Sequence, residues 1–217
     1  MNSVSVLYGA RIGNGNVIFP GAVISAVPQD LKFRGEETTA EVGDNNKIRE
    51  NVTINRGTAA KGKTCVGSGN LLMESVHVAH DAFVGNDCII GNGTKLAGEI
   101  IIDDHAIISA NVLMHQFCRV GGYTMVGGGT RFSQDIPPYT ICAREPVAYC
   151  GLNLVGLRRR GFSNELIENI HNTYRIIYQG GVPLNEALQK VREEVPASPE
   201  INYIIEFIEN SKRGFVH

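Results

Sequence analysis

Apolar residues recur at nearly every position divisible by six. From Val66 the series runs Val66, Leu72, Val78, Val84, Ile90, Leu96, Ile102, Ile108, Met114, Val120, Val126 and Phe132, and Val6, Ile12, Ile18, Ile24, Val42, Ile48 and Ile54 precede it in the same phase. Four residues after each apolar position stands a second small or apolar side chain, as at Val76, Ala82, Cys88, Thr94, Ile100, Ala106, Val112, Cys118 and Thr124. Glycine often follows the apolar residue directly, as at Gly13, Gly43, Gly67, Gly85, Gly91, Gly121 and Gly127. A period of six fits neither a 3.6-residue helix nor a two-residue strand alternation. It fits a parallel β-helix whose coils present the same inward residue at each side.

The phase breaks once, where Asp30 and Glu36 replace apolar residues within Val27-Pro28-Gln29-Asp30-Leu31-Lys32-Phe33-Arg34-Gly35-Glu36-Glu37. This polar stretch, about residues 27–40, predicts a loop leaving the coil wall, and such loops are where function concentrates. Ala59-Ala60-Lys61-Gly62-Lys63 predicts a smaller excursion, equally readable as a tolerated insertion. Pro137 and Pro138 end the repeat, since proline cannot donate to a ladder. A connector to about Leu157 follows, and then the period becomes helical. Ser163 is a candidate N-cap for a helix carrying Leu166, Ile167, Ile170, Tyr174, Ile177 and Tyr178 and ending at Gly180-Gly181. A second helix is predicted from Asn185 through Val191. A third starts at Ser198-Pro199-Glu200, with Ile201, Ile204, Ile205 and Ile208 on one face. The expected architecture is mainly β: a left-handed parallel β-helix of hexapeptide repeats over residues 1–142, then a C-terminal α-helical domain over 143–217 that covers the open end of the solenoid.

A net charge of −2 gives no electrostatic case for nucleic acid or an anionic membrane. No stretch approaches the roughly 18 apolar residues of a membrane span. The start, Met1-Asn2-Ser3-Val4-Ser5, lacks a basic segment followed by an apolar run and predicts no signal peptide. The five cysteines form no CxxC, and Cys88 and Cys118 fall on inward positions, which points to a reduced, cytoplasmic setting.

Three hexads make an 18-residue coil, so residues 18 apart stack about 4.8 Å apart. His80, Gly98 and Gln116 then line one corner, with His77 and Asp81 beside the first and His115 beside the last. A histidine next to a carboxylate suits a general base, and a glycine with an approachable N–H suits a donor to a developing oxyanion. His77, His80 and His115 also admit a zinc site with an open position. Against it, a spacing of three in a strand-like corner turns His77 and His80 different ways, and no metal is expected.

These residues occur within longer stretches that resemble the acyl-[acyl-carrier-protein]–UDP-N-acetylglucosamine O-acyltransferases, the first enzymes of lipid A synthesis. The stretches are Gln29-Asp30-Leu31-Lys32, Ile48 through Thr58, Asn70-Leu71-Leu72-Met73, His77-Val78-Ala79-His80-Asp81, Leu96-Ala97-Gly98, His115-Gln116-Phe117, Asp135 through Tyr139, and Gly156 through Phe162. The hexad is shared by many acyltransferases. The loop, the His77-x-x-His80-Asp81 motif and the Arg-Arg-Gly-Phe ending are specific in combination.

The resemblance implies a (3-hydroxy)acyl transfer from acyl carrier protein, through its phosphopantetheine, to the 3-hydroxyl of UDP-N-acetylglucosamine, with no other cofactor. It implies His80 as the base, Asp81 as its partner and Gly98 as the oxyanion donor. Asp30 and Lys32 resemble the residues that hold the sugar and diphosphate from a neighbouring subunit of a homotrimer. His77, His115 and Gln116 resemble substrate contacts, Asn153 and Arg160 resemble residues near the uridine and phosphates, and Gly128 resembles the position that limits acyl length. Glu99, Val155 and Pro146 depart from residues common in the family, and the chain begins inside its usual repeat array, so early coils are expected to be missing.

Two other readings compete. A later N-acyltransferase of the same pathway shares the hexad and a catalytic histidine, but is expected to carry an additional N-terminal uridine-binding domain that nothing here resembles. A non-catalytic β-helical scaffold needs neither the clustered His77, His80 and Asp81 nor the loop.

Overall fold

A computed structural model describes residues 3–217. The hexads form short strands that lie in three sheets of seven, six and eight strands, one sheet per side of a triangular, left-handed coil. The first sheet runs through His77–Val78, Lys95–Leu96, Leu113–Met114 and Arg131–Phe132; the second through Phe83–Val84 and Ile101–Ile102; the third through Leu71–Leu72, Ile89–Ile90, Ile107–Ile108 and Met125–Val126. In each two-residue strand from Lys47–Ile48 onward the second side chain is the periodic apolar one and points inward, and Val78, Val84, Ile90, Leu96, Ile102 and Ile108 are wholly buried. Each such side chain contributes about 1.5–3 kcal/mol relative to exposure. The second small residue of each hexad fills the space between, as Val76, Ala82, Cys88 and Thr94 do. Corners turn on a left-handed residue every sixth position, including Ser75, Asp81, Asp87, Glu99 and His105. Gly67 sits directly over the next coil, where a β-carbon would come within 2.6 Å of the Gly85 carbonyl.

Stacked partners are 18 residues apart from His77 to Arg131, in the register His77–Lys95–Leu113–Arg131, and the last coil is two residues shorter, pairing Met125 with Ile141. Earlier the spacing changes. Val23 pairs with Thr53 and Val17 with Lys47, thirty residues on, because residues 27–38 leave the wall. Thr53 pairs with His77 and Glu41 with Cys65, twenty-four residues on, because residues 57–62 leave it. The two excursions add twelve and six residues. Both are whole hexads, so the apolar phase survives while the simple 18-residue stacking does not.

At the corner between the second and third sheets an asparagine ladder occupies the same hexad position as Cys88. Asn16 Oδ1 accepts from the N–H of Asn46, Asn46 Oδ1 from the N–H of Asn70, and Asn70 Oδ1 from the N–H of Cys88, each at 2.8 Å. The ladder satisfies buried amides that an aliphatic side chain would leave to the backbone alone.

After the prolines the chain does not become a simple connector. Thr140–Ala143 joins the third sheet in parallel, and Ala148–Leu152 returns antiparallel to it, forming a hairpin absent from the sequence reading. Helix α1 (Leu154–Arg159) was also not anticipated; Asn153 caps it by accepting from the Gly156 N–H. Helices α2 (Asn164–Gln179), α3 (Leu184–Glu194) and α4 (Pro199–Glu209) follow, capped at Ser163 and Ser198 as expected, with α3 extending at both ends of its predicted span.

The helices form their own core around Leu157, Ile170, Tyr174, Val191, Ile204 and Phe207. Closure of the solenoid comes from the chain end: Val216 packs into the β-helix core, and the Asp135 N–H and C=O bond Gly214 and Val216. Helix α4 instead lies along the wall, where the Tyr203 hydroxyl donates to Asp103 at 2.5 Å and accepts from the Gly122 N–H at 2.8 Å. Among the described residues no helix is long and apolar enough to cross a membrane.

Candidate active site

His80 and Asp81 leave the strand His77–Val78 at the corner between the first and second sheets. Asp81 adopts φ 60°, a conformation unusual for a non-glycine residue, and its N–H is held by Thr64 Oγ1 at 2.8 Å. This turn buries the carboxylate completely and sets its Oδ2 2.8 Å from His80 Nδ1. The carboxylate's other donors come from Thr58, whose N–H donates to Oδ1 at 2.9 Å and whose hydroxyl donates to Oδ2 at 2.6 Å. A carboxylate accepts only, so in the neutral imidazole this contact assigns the proton to Nδ1 and leaves Nε2 its lone pair.

Gly98 stacks on His80, and Glu99 N–H bonds the His80 carbonyl at 3.1 Å. A β-carbon at position 98 would lie 2.7 Å from Cε1 and 2.8 Å from Nε2 of His80. The room left by the missing side chain is filled by the imidazole itself. The Gly98 N–H has no hydrogen-bond partner among the described residues and lies in the same corner as Nε2.

A groove of about 360 Å³ opens beside this pair, lined by His77, Ala79, His80, Lys95, Leu113 and by Gln29 of the long loop. A second groove, about 340 Å³ and walled by Arg131, Phe132 and Ser133, shares Leu113 and Met114 with it, so the two run along the first sheet. Gly128 stands at the far edge of that sheet, between strands Met125–Val126 and Arg131–Phe132, and is exposed.

His77 Nδ1 lies 2.7 Å from Thr53 Oγ1. Burial, then the neighbouring Lys95 and His80, hold its imidazole below the ordinary histidine range, so it is neutral at pH 7. His115 is exposed and turns Nδ1 toward the Gln116 carbonyl at 3.1 Å. The three histidines therefore face separate partners, and among the described residues no three His, Cys, Asp or Glu side chains are placed to hold one ion.

The long loop is pinned from below. Asn55 Nδ2 donates to the Val27 carbonyl at 2.6 Å, the Arg56 N–H donates to Ala26, and the Arg56 guanidinium lies over the rings of Tyr8 and Phe33. Asp30 Oδ1 accepts from the Lys32 N–H at 2.9 Å, closing a tight turn. Neither Asp30 nor Lys32 lines this groove; Gln29 does.

Asn153 and Arg160 lie apart from these residues, at the two ends of α1. Asn153 is buried and fully engaged, capping α1 and donating from Nδ2 to the Tyr123 carbonyl at 2.9 Å. Arg160 is exposed, bonds His105 Nδ1 at 2.8 Å and lies over the Tyr123 ring. Val155 is exposed on the same helix, and Glu99 faces Lys61 at 3.9 Å. Thr58, Thr64 and Gln29 were missed as site residues; only Thr58 and Gln29 lay within stretches singled out in the sequence.

Comparison with known proteins gives this arrangement a family. The structure of LpxA, a UDP-N-acetylglucosamine acyltransferase from Bacteroides fragilis 9343, superimposes with a TM-score of 0.98 at 72% sequence identity, covering 100% of this chain and 85% of that one. The chain belongs to the UDP-N-acetylglucosamine acyltransferase family. The model of the second domain of UDP-N-acetylglucosamine O-acyltransferases matches residues 135–216. The acyltransferase from Francisella novicida is similar at 32% identity and a TM-score of 0.91, over 100% of this chain and 91% of that one. The Arabidopsis acyltransferase is similar at 30% identity and a TM-score of 0.92, over 99% and 86%. Membership in this acyltransferase family excludes the scaffold reading.

Proposed function

We propose that this acyltransferase moves a (3-hydroxy)acyl chain from the phosphopantetheine of acyl carrier protein to the 3-hydroxyl of UDP-N-acetylglucosamine, opening lipid A biosynthesis. The observation that carries the reading is the His80 imidazole, with Nδ1 donating to a buried carboxylate and Nε2 left free beside an unpaired backbone N–H. His80 Nε2 takes the proton of the sugar 3-hydroxyl as its oxygen attacks the thioester carbonyl. The Gly98 N–H donates to the oxyanion that forms. Collapse breaks the carbon–sulfur bond, and the departing thiolate takes the proton from the imidazolium. Asp81 keeps the tautomer fixed and stabilises the charged ring without accepting its proton outright.

His77, His115 and Gln116 border the sugar. Arg160 offers charge to the diphosphate, and Asn153 contributes by holding α1, and so Arg160, in place. The donor chain lies along the grooves of the first sheet toward Gly128.

A homotrimer fits the outer surface of the third sheet, where Leu71, Ile89, Ile107, Met125 and Ile141 follow one another as outward side chains. Such an apolar face calls for a partner, and a closed ring of identical chains supplies one. It would also bring Asp30 and Lys32, idle in their own groove, to a neighbour. The free thiols, three of them buried, suit the cytoplasm.

An assay for 3-O-acylated UDP-sugar tests the proposal. His80→Ala and His80→Asn are expected to lose about 10²–10⁴-fold in kcat while remaining folded. Full turnover by either variant would remove His80 as the base.

A further inference from the structure

We infer that Thr58 is a positioning residue for the His80–Asp81 pair and that the short excursion 57–62 exists to deliver it. The inference rests on the reading of His80 as general base. The geometry behind it is independent of that reading: of the donors to the Asp81 carboxylate, two belong to Thr58 and one to His80. The Thr58 hydroxyl also accepts from the Ala60 N–H at 3.2 Å, which orients its proton toward Asp81.

The excursion is fastened at each end. Gly57 N–H bonds the Thr39 carbonyl at 3.0 Å, and Gly62 N–H bonds the Thr58 carbonyl at 2.7 Å. Lys61 reaches toward Glu99, the residue after Gly98. Residues 57–62 carry no inward residue of the β-helix core, which passes from Ile54 to Val66. What they add to the coil is a pair of donors aimed at one buried oxygen pair.

A buried carboxylate with a single imidazole partner can rotate. It can also pull on the ring more strongly than the base chemistry requires. Thr58 removes both freedoms. It locks the carboxylate plane so that one oxygen meets Nδ1, and it takes up part of the negative charge. Loss of its hydroxyl leaves the Thr58 N–H bond in place, so the effect falls on Oδ2, the oxygen that His80 uses.

The experiment compares Thr58→Ala and Thr58→Ser with the intact enzyme and with His80→Ala. Thr58→Ala is expected to lower kcat roughly 10- to 100-fold, the equivalent of one hydrogen bond to a charged group. The KM for the UDP-sugar should change less than about twofold, because the hydroxyl touches no groove surface and its loss is a transition-state effect. The acid limb of the rate–pH profile should move to higher pH, since a carboxylate short of a donor holds the imidazolium more tightly. Thr58→Ser should restore kcat and profile together. Nitrogen-15 spectra of the labelled imidazole in Thr58→Ala should show the same upward movement without reference to turnover.

A wild-type kcat and profile in Thr58→Ala, with His80→Ala inactive, would overturn the inference. So would a Thr58→Ser enzyme as impaired as Thr58→Ala, or an unmoved His80 resonance. A fully active His80→Ala enzyme would instead remove the base assignment, and the imidazole spectra would still decide whether Thr58 governs the pair.

Discussion

The His80 imidazole lies flat against Gly98, with Cε1 and Nε2 within 2.8 Å of the place a β-carbon would take. Any side chain at position 98 must therefore move the ring. Gly98→Ala is expected to fold, since the displaced group is the partly exposed end of one side chain and not the core. It should lower kcat on the order of 10²-fold by carrying Nε2 away from the Gly98 N–H. Circular dichroism with steady-state kinetics checks this; unchanged turnover in the folded variant would mean the ring position is not critical.

Gly128→Met should shorten the accepted acyl chain without abolishing transfer. The position is exposed, and a β-carbon there meets the Ala110 carbonyl at 3.3 Å and Ser109 Cβ at 3.7 Å, which a small shift accommodates. The longer side chain extends over the far edge of the first sheet. Each methylene it excludes should cost about 0.8 kcal/mol, so the longest donors suffer first. Competition between donors of different length is the measurement. Equal loss for all of them would point to a damaged coil.

Chelator treatment should leave turnover unchanged. His77, His80 and His115 each face a different protein partner, and freeing them to meet one ion would dismantle the Asp81 pairing. Metal analysis showing stoichiometric zinc, with activity lost on its removal, would contradict this.

Thiol labelling should separate the cysteines by position. Burial pushes Cys88 and Cys142 up to about 12 and Cys118 to about 11, whereas Cys150 is exposed. At pH 8 one fast-reacting thiol is expected, Cys65 should lag, and the other three should react only after denaturation. The same shifts set an alkaline limit. The folded state holds these protons more tightly than the unfolded chain, whose thiols titrate near 9.0. Their contribution to stability is complete below that value and is lost as pH rises from about 9 toward 12. Denaturant midpoints measured across that range should fall; a flat profile would contradict the burial of these thiols.

The hexad alone makes the solenoid legible, because each inward residue answers to one local rule. Ser163 and Ser198 were legible for the same reason, a cap being a relation between neighbours. The hairpin Thr140–Leu152 was not. Its strands lie beyond two prolines, and antiparallel pairing there depends on the third sheet already being present. Helix α1 is too short to show a period. Within the site, His80 and Gly98 are 18 residues apart with no excursion between them, and that count found them. Thr58 and Asp81 are separated by 23 residues across an excursion, and their meeting depends on how six extra residues fold. No spacing rule reaches across such a detour.

The size of that detour has a consequence for how the protein can fail. Excising residues 57–62 would bring Arg56 to Lys63 and leave an 18-residue turn of the spiral with every inward residue in phase. The wall would close as before, and Asp81 would face an empty flank. A buried carboxylate left with His80 as its one side-chain donor would cost about 1–3 kcal/mol for each donor lost. The segment thus ties shape to chemistry: variation within it is felt by the fold, through a buried charge short of donors, as well as by the product the enzyme makes.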